Sequence, residues 1–361
     1  MESAPSALTF STISNADVDE LIKLQKKILT EGESHIAEQF GKPYWEWQYR
    51  QLPAHYSEVF ICKSKEEIAG YYHAPVYEMQ VNGEKKFFAV VQDVAVSDKL
   101  RGQGVFRKLA EFATEGLIHS GIDAVYTYPN DKSIKTFLKY NGYQKIYTYD
   151  SFLLPLDFRK LIRAKIDFPL LGNITGSILN LFFMKRFKAS AHERFSVLKN
   201  ADESIARLFQ KFAGSFPVSR KRDLNYLKWR YEQRPDSNYF YLTYSEQNQL
   251  KAVAVFKKDI MLNAEALLLM DFTFTEEKHL HRLLKYAAVS AVSISAGRPA
   301  FIFMAYCCHR IRQITKAGFF KVPERLNPRP VHLLVKNISS EIQLLLQPEN
   351  WLATLGDWDV F

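Results

Sequence analysis

The sequence predicts an α+β fold that is built twice, as two tandem domains that each contain a mixed, mostly antiparallel sheet flanked by helices. The first observation is a repeated motif: YWEWQYRQLP at residues 44–53 recurs as YLKWRYEQRP at residues 226–235, half a chain length later. The second is that the same series of strand and helix patterns follows both copies. Self-similarity over such a distance is the signature of an internal repeat.

The elements of the repeat follow in a common order. Each motif precedes two strand patterns joined by a charged turn, EVFICKSKEEIAGYYHAPV in the first half and NYFYLTYSEQNQLKAVAVF in the second. The next strand is VQDVAVSD at 91–98 and LMDFTFTE at 269–276, which aligns Asp93 with Asp271. A helical pattern, a buried strand and a second helix complete each half. Because the aromatic motif occurs in both halves, we expect it to serve the fold.

Two local signals describe the first half in more detail. Asn82 and Gly83 stand between two strand patterns, and Asn-Gly is a strong signal for a two-residue hairpin turn. From about 105 to 120, apolar side chains recur at helical spacing, so we expect an amphipathic helix with one buried face. The residues of this face are Phe106, Leu109, Phe112, Ala113 and Leu117.

Composition indicates a folded protein with more than one core. The chain has 361 residues, of which 47% are hydrophobic and 24% are charged. Its net charge of +9 either favours anionic partners such as nucleotide cofactors or serves solubility alone. No nucleic-acid-binding motif accompanies this charge, so we expect no nucleic acid partner. The three cysteines lack a zinc spacing and the N-terminus lacks a basic, apolar leader, so we expect a cytoplasmic protein without a metal.

A glycine-containing loop distinguishes the two halves. Arg101-Gly102-Gln103-Gly104 lies between a strand and a helix, where glycines allow a tight turn that presents successive amide N–H groups. These amides and the positive end of the helix form an anion site suited to a pyrophosphate, and Arg107 adds charge. The second half has TEEKHLHRLLKY at this place, without a glycine. We therefore expect only the first half to bind such an anion.

The segment VAVSDKLRGQGVFRKLAE resembles the acyl-CoA-binding segment of GNAT-superfamily N-acetyltransferases, whose loop reads Arg/Gln-x-x-Gly-x-Gly/Ala. Arg101 and Gly104 match this pattern, and Phe106 replaces the final Gly/Ala. The closing NGYQKIYTY also resembles the end of that domain. The resemblance covers residues 8 to 155, and residues 192 to 337 resemble a degenerate second copy.

The resemblance implies acetyl-CoA, or another acyl-CoA, as the co-substrate, direct attack of an amine on the thioester, and no metal. The strand before the loop would pair with the pantetheine arm, and the loop amides would hold the pyrophosphate. Carried over to this sequence, these residues are Val94, Ala95 and Val96 for the strand, and Arg101, Gly102, Gln103, Gly104, Val105 and Phe106 for the loop.

Four further residues are candidates for the site. Asp93, on the cofactor strand, is the candidate base, although its repetition as Asp271 also suits a structural role. Tyr140 is the candidate acid, near the position where the family often has a tyrosine. Asn130 either caps a helix or contacts the cofactor. His73 either lines the acceptor cleft or packs in the fold.

The segment between the halves has its own character. Residues 157–188 carry seven Lys or Arg and two Asp together with the apolar runs FPLL and LNLFFM. Such a segment either packs between two domains or lies on an anionic membrane surface. The predicted organisation is thus an acyl-CoA-binding domain at 1–155, basic apolar linker helices at 156–191 and a degenerate domain with a C-terminal tail at 192–361.

We therefore predict an acyl-CoA-dependent N-acyltransferase that acts on a small-molecule primary amine, with acetyl as the donor group. An amino sugar of polysaccharide assembly is the favoured acceptor. The alternatives are a Fem-type aminoacyltransferase, which the intact glycine loop disfavours, and a non-catalytic acyl-CoA-binding module. We expect a cytoplasmic location, with the peripheral membrane contact through 157–188 as the open alternative.

Overall fold

The computed structural model describes residues 8–30, 41–53, 56–131, 133–163, 177, 194–235, 238–307, 314–327, 330–338 and 343–358. The chain forms two compact units. Unit 1 comprises Met1–Tyr147, Gln233–Asp236 and Val331–Gln347, and unit 2 comprises Thr148–Glu232, Ser237–Pro330 and Pro348–Phe361. Both units combine helices with a mixed sheet, so the α+β prediction is confirmed.

Helices and strands alternate along the chain. The α-helices are α1 (Val18–Thr30), α2 (Lys42–Arg50), α3 (Val105–His119), α4 (Ile134–Tyr140), α5 (Phe158–Arg163), α6 (Glu203–Ala213), α7 (Leu224–Leu227) and α8 (Glu277–Ser295). The strands are β1 (Leu8–Thr12), β2 (Ser57–Ser64), β3 (Glu67–Val81), β4 (Glu84–Val96), β5 (Ala124–Thr127), β6 (Gln144–Thr148), β7 (Asp150–Pro155), β8 (Phe195–Leu198), β9 (Val218–Arg220), β10 (Tyr239–Glu246), β11 (Gln249–Met261), β12 (Ala264–Phe274), β13 (Phe301–Cys307), β14 (Phe320–Lys321), β15 (His332–Asn337) and β16 (Trp351–Thr354).

The sheet of unit 1 has the strand order β6-β15-β5-β4-β3-β2-β1. Strands β4 and β5 run parallel, whereas β1–β2, β2–β3, β3–β4 and β5–β15 are antiparallel pairs. The β3–β4 hairpin closes through Asn82 and Gly83, whose φ angles of 50° and 85° are both positive, as a two-residue hairpin turn requires. The predicted hairpin is therefore confirmed.

Helices cover both faces of this sheet. Helix α3 buries Leu109, Ala113 and Leu117 against one face, and Phe106 and Phe112 are partly buried there. Helices α1 and α2 contribute to a separate cluster on strands β2 and β3. The predicted amphipathic helix is thus observed, one residue shorter than predicted at its C-terminal end.

The sheet of unit 2 contains the series β8-β10-β11-β12-β13, in which β12 and β13 are parallel and the other pairs antiparallel. Strand β7 pairs with β13 and with β14, and β16 pairs with β13 and with β9. Helix α8 packs its apolar face, which includes Leu280, Leu283 and Leu284, into the core of this unit.

The two units differ from the predicted segments because each takes a strand from the far part of the sequence. Strand β7, predicted to close the first domain, pairs with β13 from Pro155 to Asp150 and belongs to unit 2. Strand β15, from the predicted second domain, lies between β5 and β6 of unit 1. Strand pairing is non-local, so a sequence boundary does not reveal it. Most of the predicted linker, including 164–176 and 178–188, lies outside the described residues.

The repeated aromatic motif is buried in both units. Tyr44, Trp47 and Tyr49 on α2 are at most 5% exposed, and Tyr226, Trp229 and Tyr231 are at most 3% exposed. In unit 2 the motif spans α7 and a following π-helical turn, Lys228–Glu232. This burial agrees with the structural role expected for the motif.

Replacing Leu334 by Ala tests the contribution of β15 to unit 1. Leu334 is fully buried in the core cluster beneath α3, so the smaller side chain leaves a cavity. We expect the free energy of unfolding to fall by about 2–5 kcal/mol, measured by urea titration with tryptophan fluorescence. The control is Leu326→Ala, at a residue that is 56% exposed, which should change stability by less than about 0.5 kcal/mol. Equal effects would contradict a core position for β15.

Candidate active site

The pairing of β4 with β5 ends before β4 does. The two strands pair from Phe88–Ala124 to Val91–Thr127, and β5 ends there. Strand β4 continues through Val94, Ala95 and Val96, which pair on their other side with β3. Among the described residues no strand pairs with the β5-facing edge of this continuation. We call the space beside this edge the unit 1 wedge; its backbone groups are placed to bind an extended ligand.

Asp93 forms a β-bulge at the start of the wedge. Gln92 pairs with His73 and Val94 pairs with Tyr72, so Asp93 is the extra residue of β4. Its φ angle is 45°, in the left-handed region that aspartate tolerates better than most residues. A bulge re-aims the side chains beside it and bends the strand. The predicted base therefore stands where β4 leaves the regular sheet.

Two hydrogen bonds hold Asp93, one at its carboxylate and one at its backbone carbonyl oxygen. The Tyr49 hydroxyl donates to the carboxylate oxygen Oδ2. The His73 imidazole lies 3.0 Å from the Asp93 carbonyl oxygen through Nδ1. Because the carbonyl can only accept, this contact requires a proton on Nδ1. Both the side chain and the backbone of the bulge are thus fixed by the aromatic layer beneath the sheet.

His73 is fully buried and does not line a cleft. The Trp45 indole N–H donates to His73 Nε2 over 3.2 Å, so Nε2 carries no proton and the ring is neutral. Burial lowers the pKa of His73 to about 4, although the bond to the Asp93 carbonyl opposes the shift. The Tyr49 ring stacks on the imidazole at 4.1 Å. Of the two roles considered for His73, the structure supports packing.

The loop between β4 and α3 has the backbone that its glycines predict. Gly102 and Gly104 have φ angles of 78° and 73°, and a Cβ at either position would meet no atom within 4 Å. Gly104 is the N-cap of α3 and provides no side chain to cap the helix. The first amides of a helix have no intrahelical acceptor, so Val105 and Phe106 present N–H groups at its positive end.

Some predicted loop amides are already used within the loop. The amide of Arg101 donates to the Asp98 carbonyl at 3.2 Å, and that of Gln103 donates to the Leu100 carbonyl at 3.4 Å. Phe106, which departs from the family pattern, turns its ring toward Phe137 on α4, with centroids 6.0 Å apart. Its bulk therefore packs against the core rather than across the loop.

The loop arginines are exposed and paired with carboxylates. Arg101 Nη1 lies 2.5 Å from Asp98 Oδ1, and Arg107 Nε lies 2.8 Å from Glu111 Oε1. Exposed pairs of this kind contribute little to stability, so both guanidinium groups can exchange a carboxylate for a ligand anion at small cost.

Asn130 and Tyr140 lie at the two ends of the segment after β5. The Asn130 side chain accepts from the Ser133 amide at 3.0 Å, which is the capping role that the sequence left open. Tyr140 ends α4, is 50% exposed, and has the Lys139 ammonium 5.0 Å from its ring centroid. The hydrogen bond to Glu111, and then the charge of Glu111, raise the pKa of Arg107. The roles of Asn130 and Tyr140 toward a ligand stay predictions.

The family of this unit follows from comparison with a family model. Residues 9–145 match the model of the acetyltransferase (GNAT) domain. Residues 9–145 are a GNAT domain. The match extends from β1 into β6, and it includes the bulge, the wedge and the glycine loop. The predicted resemblance is therefore confirmed for this part of the chain.

Solved structures share the fold of the chain. A GCN5-related N-acetyltransferase from Anabaena variabilis has a TM-score of 0.60 and 10% identity, and the match covers 92% of this chain and 73% of that one. An N-myristoyltransferase from Saccharomyces cerevisiae with bound myristoyl-CoA has a TM-score of 0.62 and 10% identity, covering 92% and 83%. A probable N-acyltransferase from Enterococcus faecalis has a TM-score of 0.59 and 11% identity, covering 95% and 74%. At these identities the likeness shows the fold alone.

No curated relative matches the sequence. In the part of the chain that the structure describes, no helix combines the length and apolar character that crossing a membrane requires.

Unit 2 contains a counterpart of the wedge in the GNAT domain, and the C-terminal segment lies in it. Strands β12 and β13 pair only from Ala266–Phe301 to Leu268–Phe303. Beyond this, β16 pairs with β13 at Tyr306 and Cys307. The segment 351–357 therefore occupies the place that is beside β4 in unit 1, which gives a physical reason, besides the missing glycines, to expect no acyl-CoA there.

Buried arginines hold this C-terminal segment. Arg222 lies 2.7 Å from Asp271 and 2.6 Å from Asp357, and all three side chains are at most 3% exposed. Arg230 donates to the carbonyl oxygens of Gly356 and Trp358 at 3.0 and 2.8 Å. Burial disfavours the Arg222 cation, but the charges of Asp271 and Asp357 outweigh burial and raise its pKa well above the usual value. Asp271, the counterpart of Asp93, is thus neutralised by an ion pair.

Sequence reasoning did not identify Tyr49 and Trp45 as partners of the site. The available signal was the recurrence of Tyr49 as Tyr231, together with that of Asp93 as Asp271. Tyr231 donates to Asp271 at 3.2 Å, just as Tyr49 donates to Asp93. The repeated aromatic motif therefore serves the fold and also contacts the candidate base.

Acidification should destabilise the protein through His73. The unfolded chain protonates histidine near pH 6.5, whereas the folded state resists protonation until about pH 4, so stability falls as pH decreases through this window. We expect His73 to account for a loss of up to about 3 kcal/mol. Urea titrations at pH 7 and pH 4.5 on wild type and His73→Asn measure this: the stability advantage of wild type should shrink at the lower pH. A constant difference would contradict a buried neutral imidazole.

Removing the Arg222 cation should destabilise unit 2 strongly. Arg222→Met leaves Asp271 buried without its counter-charge and removes one of the two arginines paired with Asp357, whose other partner, Arg220, lies 3.4 Å away. Breaking a buried pair in this way costs about 3–5 kcal/mol. The neighbouring variant Lys221→Met is the control, because Lys221 is 44% exposed and its ion pair lies at the surface. Thermal unfolding should show a large decrease in melting temperature for the first variant and a small one for the second. Similar melting temperatures would show that the buried pair does not hold the segment.

Proposed function

We propose that the protein is an acyl-CoA-dependent N-acyltransferase that acts on a primary amine and uses the GNAT domain as its donor site. The observation that carries this proposal is the combination, in one unit, of the wedge beside Val94–Val96 with the glycine loop at the start of α3. An extended arm suits the first feature, and an anionic group suits the second. Acyl-CoA carries both, joined end to end.

The residues present fit this co-substrate. The free backbone edge of Val94, Ala95 and Val96 would pair with the amide groups of pantetheine, as a strand edge pairs with an added strand. The amides of Gly102, Gly104, Val105 and Phe106 would hold the pyrophosphate, where two glycines leave room for close approach. Arg101 and Arg107 would add charge. Asn130 would contribute through an N–H group, since its backbone carbonyl and its side-chain oxygen both accept within the turn before α4.

The proposed reaction needs one base and one acid. The amine nitrogen attacks the thioester carbonyl carbon, the carbon–sulfur bond breaks, and the thiolate leaves. Asp93 would accept the proton that the attacking amine loses, directly or through water. Tyr140 would return a proton to the thiolate, for which its half-exposed position at the end of α4 is suitable. No metal takes part in this scheme.

The acyl donor and the amine acceptor are proposed as chemical classes. Acetyl is the proposed acyl group, and the structural likeness to a protein with bound myristoyl-CoA makes longer acyl chains the comparison to include. A small-molecule amine, and among these an amino sugar, is the proposed acceptor. We propose a cytoplasmic enzyme without a nucleic acid partner. The alternative of peripheral membrane contact concerns residues 157–188, of which only 157–163 and 177 are described.

We also infer that the two units descend from one duplicated domain. The aromatic motif, the strand with Asp93 or Asp271, the bulge beside it and the tyrosine–aspartate hydrogen bond recur in the same order. The bulge of β12 lies at Met270, one residue before Asp271, rather than at the aspartate itself. Because residues 351–357 lie in the corresponding place of unit 2 and no glycine loop follows its strand β12, we propose one donor site per chain.

Placing a carboxylate at residue 104 should abolish donor binding. Gly104→Glu puts bulk and negative charge on the amides at the start of α3, whereas Gly121→Glu puts the same side chain just beyond its other end. The two glycines have φ angles of 73° and 72° and equally open surroundings, so backbone strain is matched. We expect calorimetric titration with acetyl-CoA and myristoyl-CoA to show at least tenfold weaker binding for Gly104→Glu alone.

The outcomes of this titration discriminate between functions. Equal affinity in both variants would place the pyrophosphate elsewhere. Binding with one site per chain, followed by turnover of an amine panel, would support the transferase. Tight binding without turnover of any amine would instead favour the non-catalytic module.

A further inference from the structure

The repeated aromatic motif contains a residue that acts on Asp93. Tyr49 is 3% exposed, lies on α2, and donates its hydroxyl proton to Asp93 Oδ2. We propose that Tyr49 is a positioning residue that keeps the Asp93 carboxylate ionised and oriented for proton transfer, with His73 and Trp45 fixing the backbone of the same bulge. This inference rests on the proposed function and extends it to residues outside the loop and wedge.

The imidazole of His73 holds the backbone of Asp93, whose φ angle of 45° is unusual for a strand residue. His73 Nδ1 lies 3.0 Å from that oxygen, and Trp45 fixes the tautomer by donating to Nε2. A chain from α2 through β3 to β4 therefore sets the direction in which the Asp93 side chain leaves the strand.

The Tyr49 hydroxyl acts on the carboxylate of Asp93. A hydrogen bond donated to a carboxylate stabilises its charged form, which is the form that accepts a proton. The same hydrogen bond favours one rotamer of the Asp93 side chain. The Tyr49 ring cannot move away easily, because it stacks on His73 at 4.1 Å and lies 5.6 Å from the Trp45 ring. Tyr49 thus combines charge stabilisation with a fixed direction.

Three groups that face Asp93 from the neighbouring elements are neutral. They are Tyr49 from α2, and Tyr71 and His73 from β3. Burial, and then the Asp93 charge, raise the pKa of Tyr71 far above neutral pH. His73 stays neutral above about pH 4. Of these three groups, Tyr49 donates a hydrogen bond to the carboxylate and thereby favours its ionised form.

Unit 2 contains the same tyrosine–aspartate hydrogen bond, but its aspartate is not a candidate base. Tyr231 donates to Asp271 as Tyr49 does to Asp93, but Arg222 forms a buried ion pair with Asp271. Val255 and Phe256 stand opposite the bulge of β12, whereas Tyr72 and His73 stand opposite the bulge of β4. The tyrosine is thus shared, whereas the imidazole contact to the backbone belongs to unit 1 alone among the described residues.

The experiment measures the titration of Asp93 directly. Protein labelled with ¹³C at the aspartate carboxyl carbons is titrated, and the Asp93 resonance is assigned by its loss in Asp93→Asn. Tyr49→Phe keeps the ring and removes the hydroxyl, and we expect the Asp93 midpoint to rise by about one pH unit. Tyr231→Phe is the matched control and should leave this midpoint unchanged. An unchanged midpoint in Tyr49→Phe would overturn the proposal.

Kinetics then tests the link to the reaction. With an amine that the wild type acylates, the acidic limb of kcat/KM should move upward in Tyr49→Phe by the same amount as the Asp93 midpoint, while acetyl-CoA affinity stays unchanged. A moved midpoint with an unmoved acidic limb would overturn the role of Tyr49 in proton transfer. If the wild type acylates no amine, the proposed function fails, and the resonance still decides whether Tyr49 controls the ionisation of Asp93.

Discussion

The early end of the β4–β5 pairing is the constraint on which the donor site depends. Four residue pairs join these parallel strands, and the bulge at Asp93 follows at once. Had the pairing continued, the backbone groups of Val94–Val96 would have formed hydrogen bonds with β5, and none would have remained to bind a ligand. The loop, the start of α3 and the candidate base all derive their positions from the point at which the two strands part.

The two units share a backbone arrangement but differ in what lies beside it and in what contacts the aspartate. In unit 2 the corresponding place is taken by β16, and the carboxylates of Asp271 and Asp357 share the guanidinium of Arg222. In the GNAT domain the corresponding carboxylate accepts from a neutral tyrosine and remains partly exposed. A charge that is buried with a partner depends on that partner, because removing one leaves the other unpaired, whereas a charge without full burial can still exchange a proton.

Sequence reasoning predicted the features that are local. The Asn82-Gly83 hairpin, the apolar face of α3 and the positive φ angles of Gly102 and Gly104 each follow from a few adjacent residues. The contacts that order Asp93 join α2, β3 and β4 across 20 to 44 positions, and no short pattern encodes them. The predicted domain boundaries differ from the observed units for the same reason. Strand β7, which the sequence places at the end of the first half, pairs in the sheet of unit 2. His73 could be recognised as buried only once its two hydrogen bonds were known.

The exchanged strands also bear on how the protein is made. Unit 1 receives β15 between β5 and β6, so its sheet lacks an interior strand until residue 337 has been synthesised. The first half leaves the ribosome early, yet it must wait for nearly the whole chain before its sheet can close, with β5 and β6 unjoined meanwhile. Unpaired strand edges of this kind invite association with other chains. Successful production of the donor site is therefore a property of the complete polypeptide rather than of its first 155 residues.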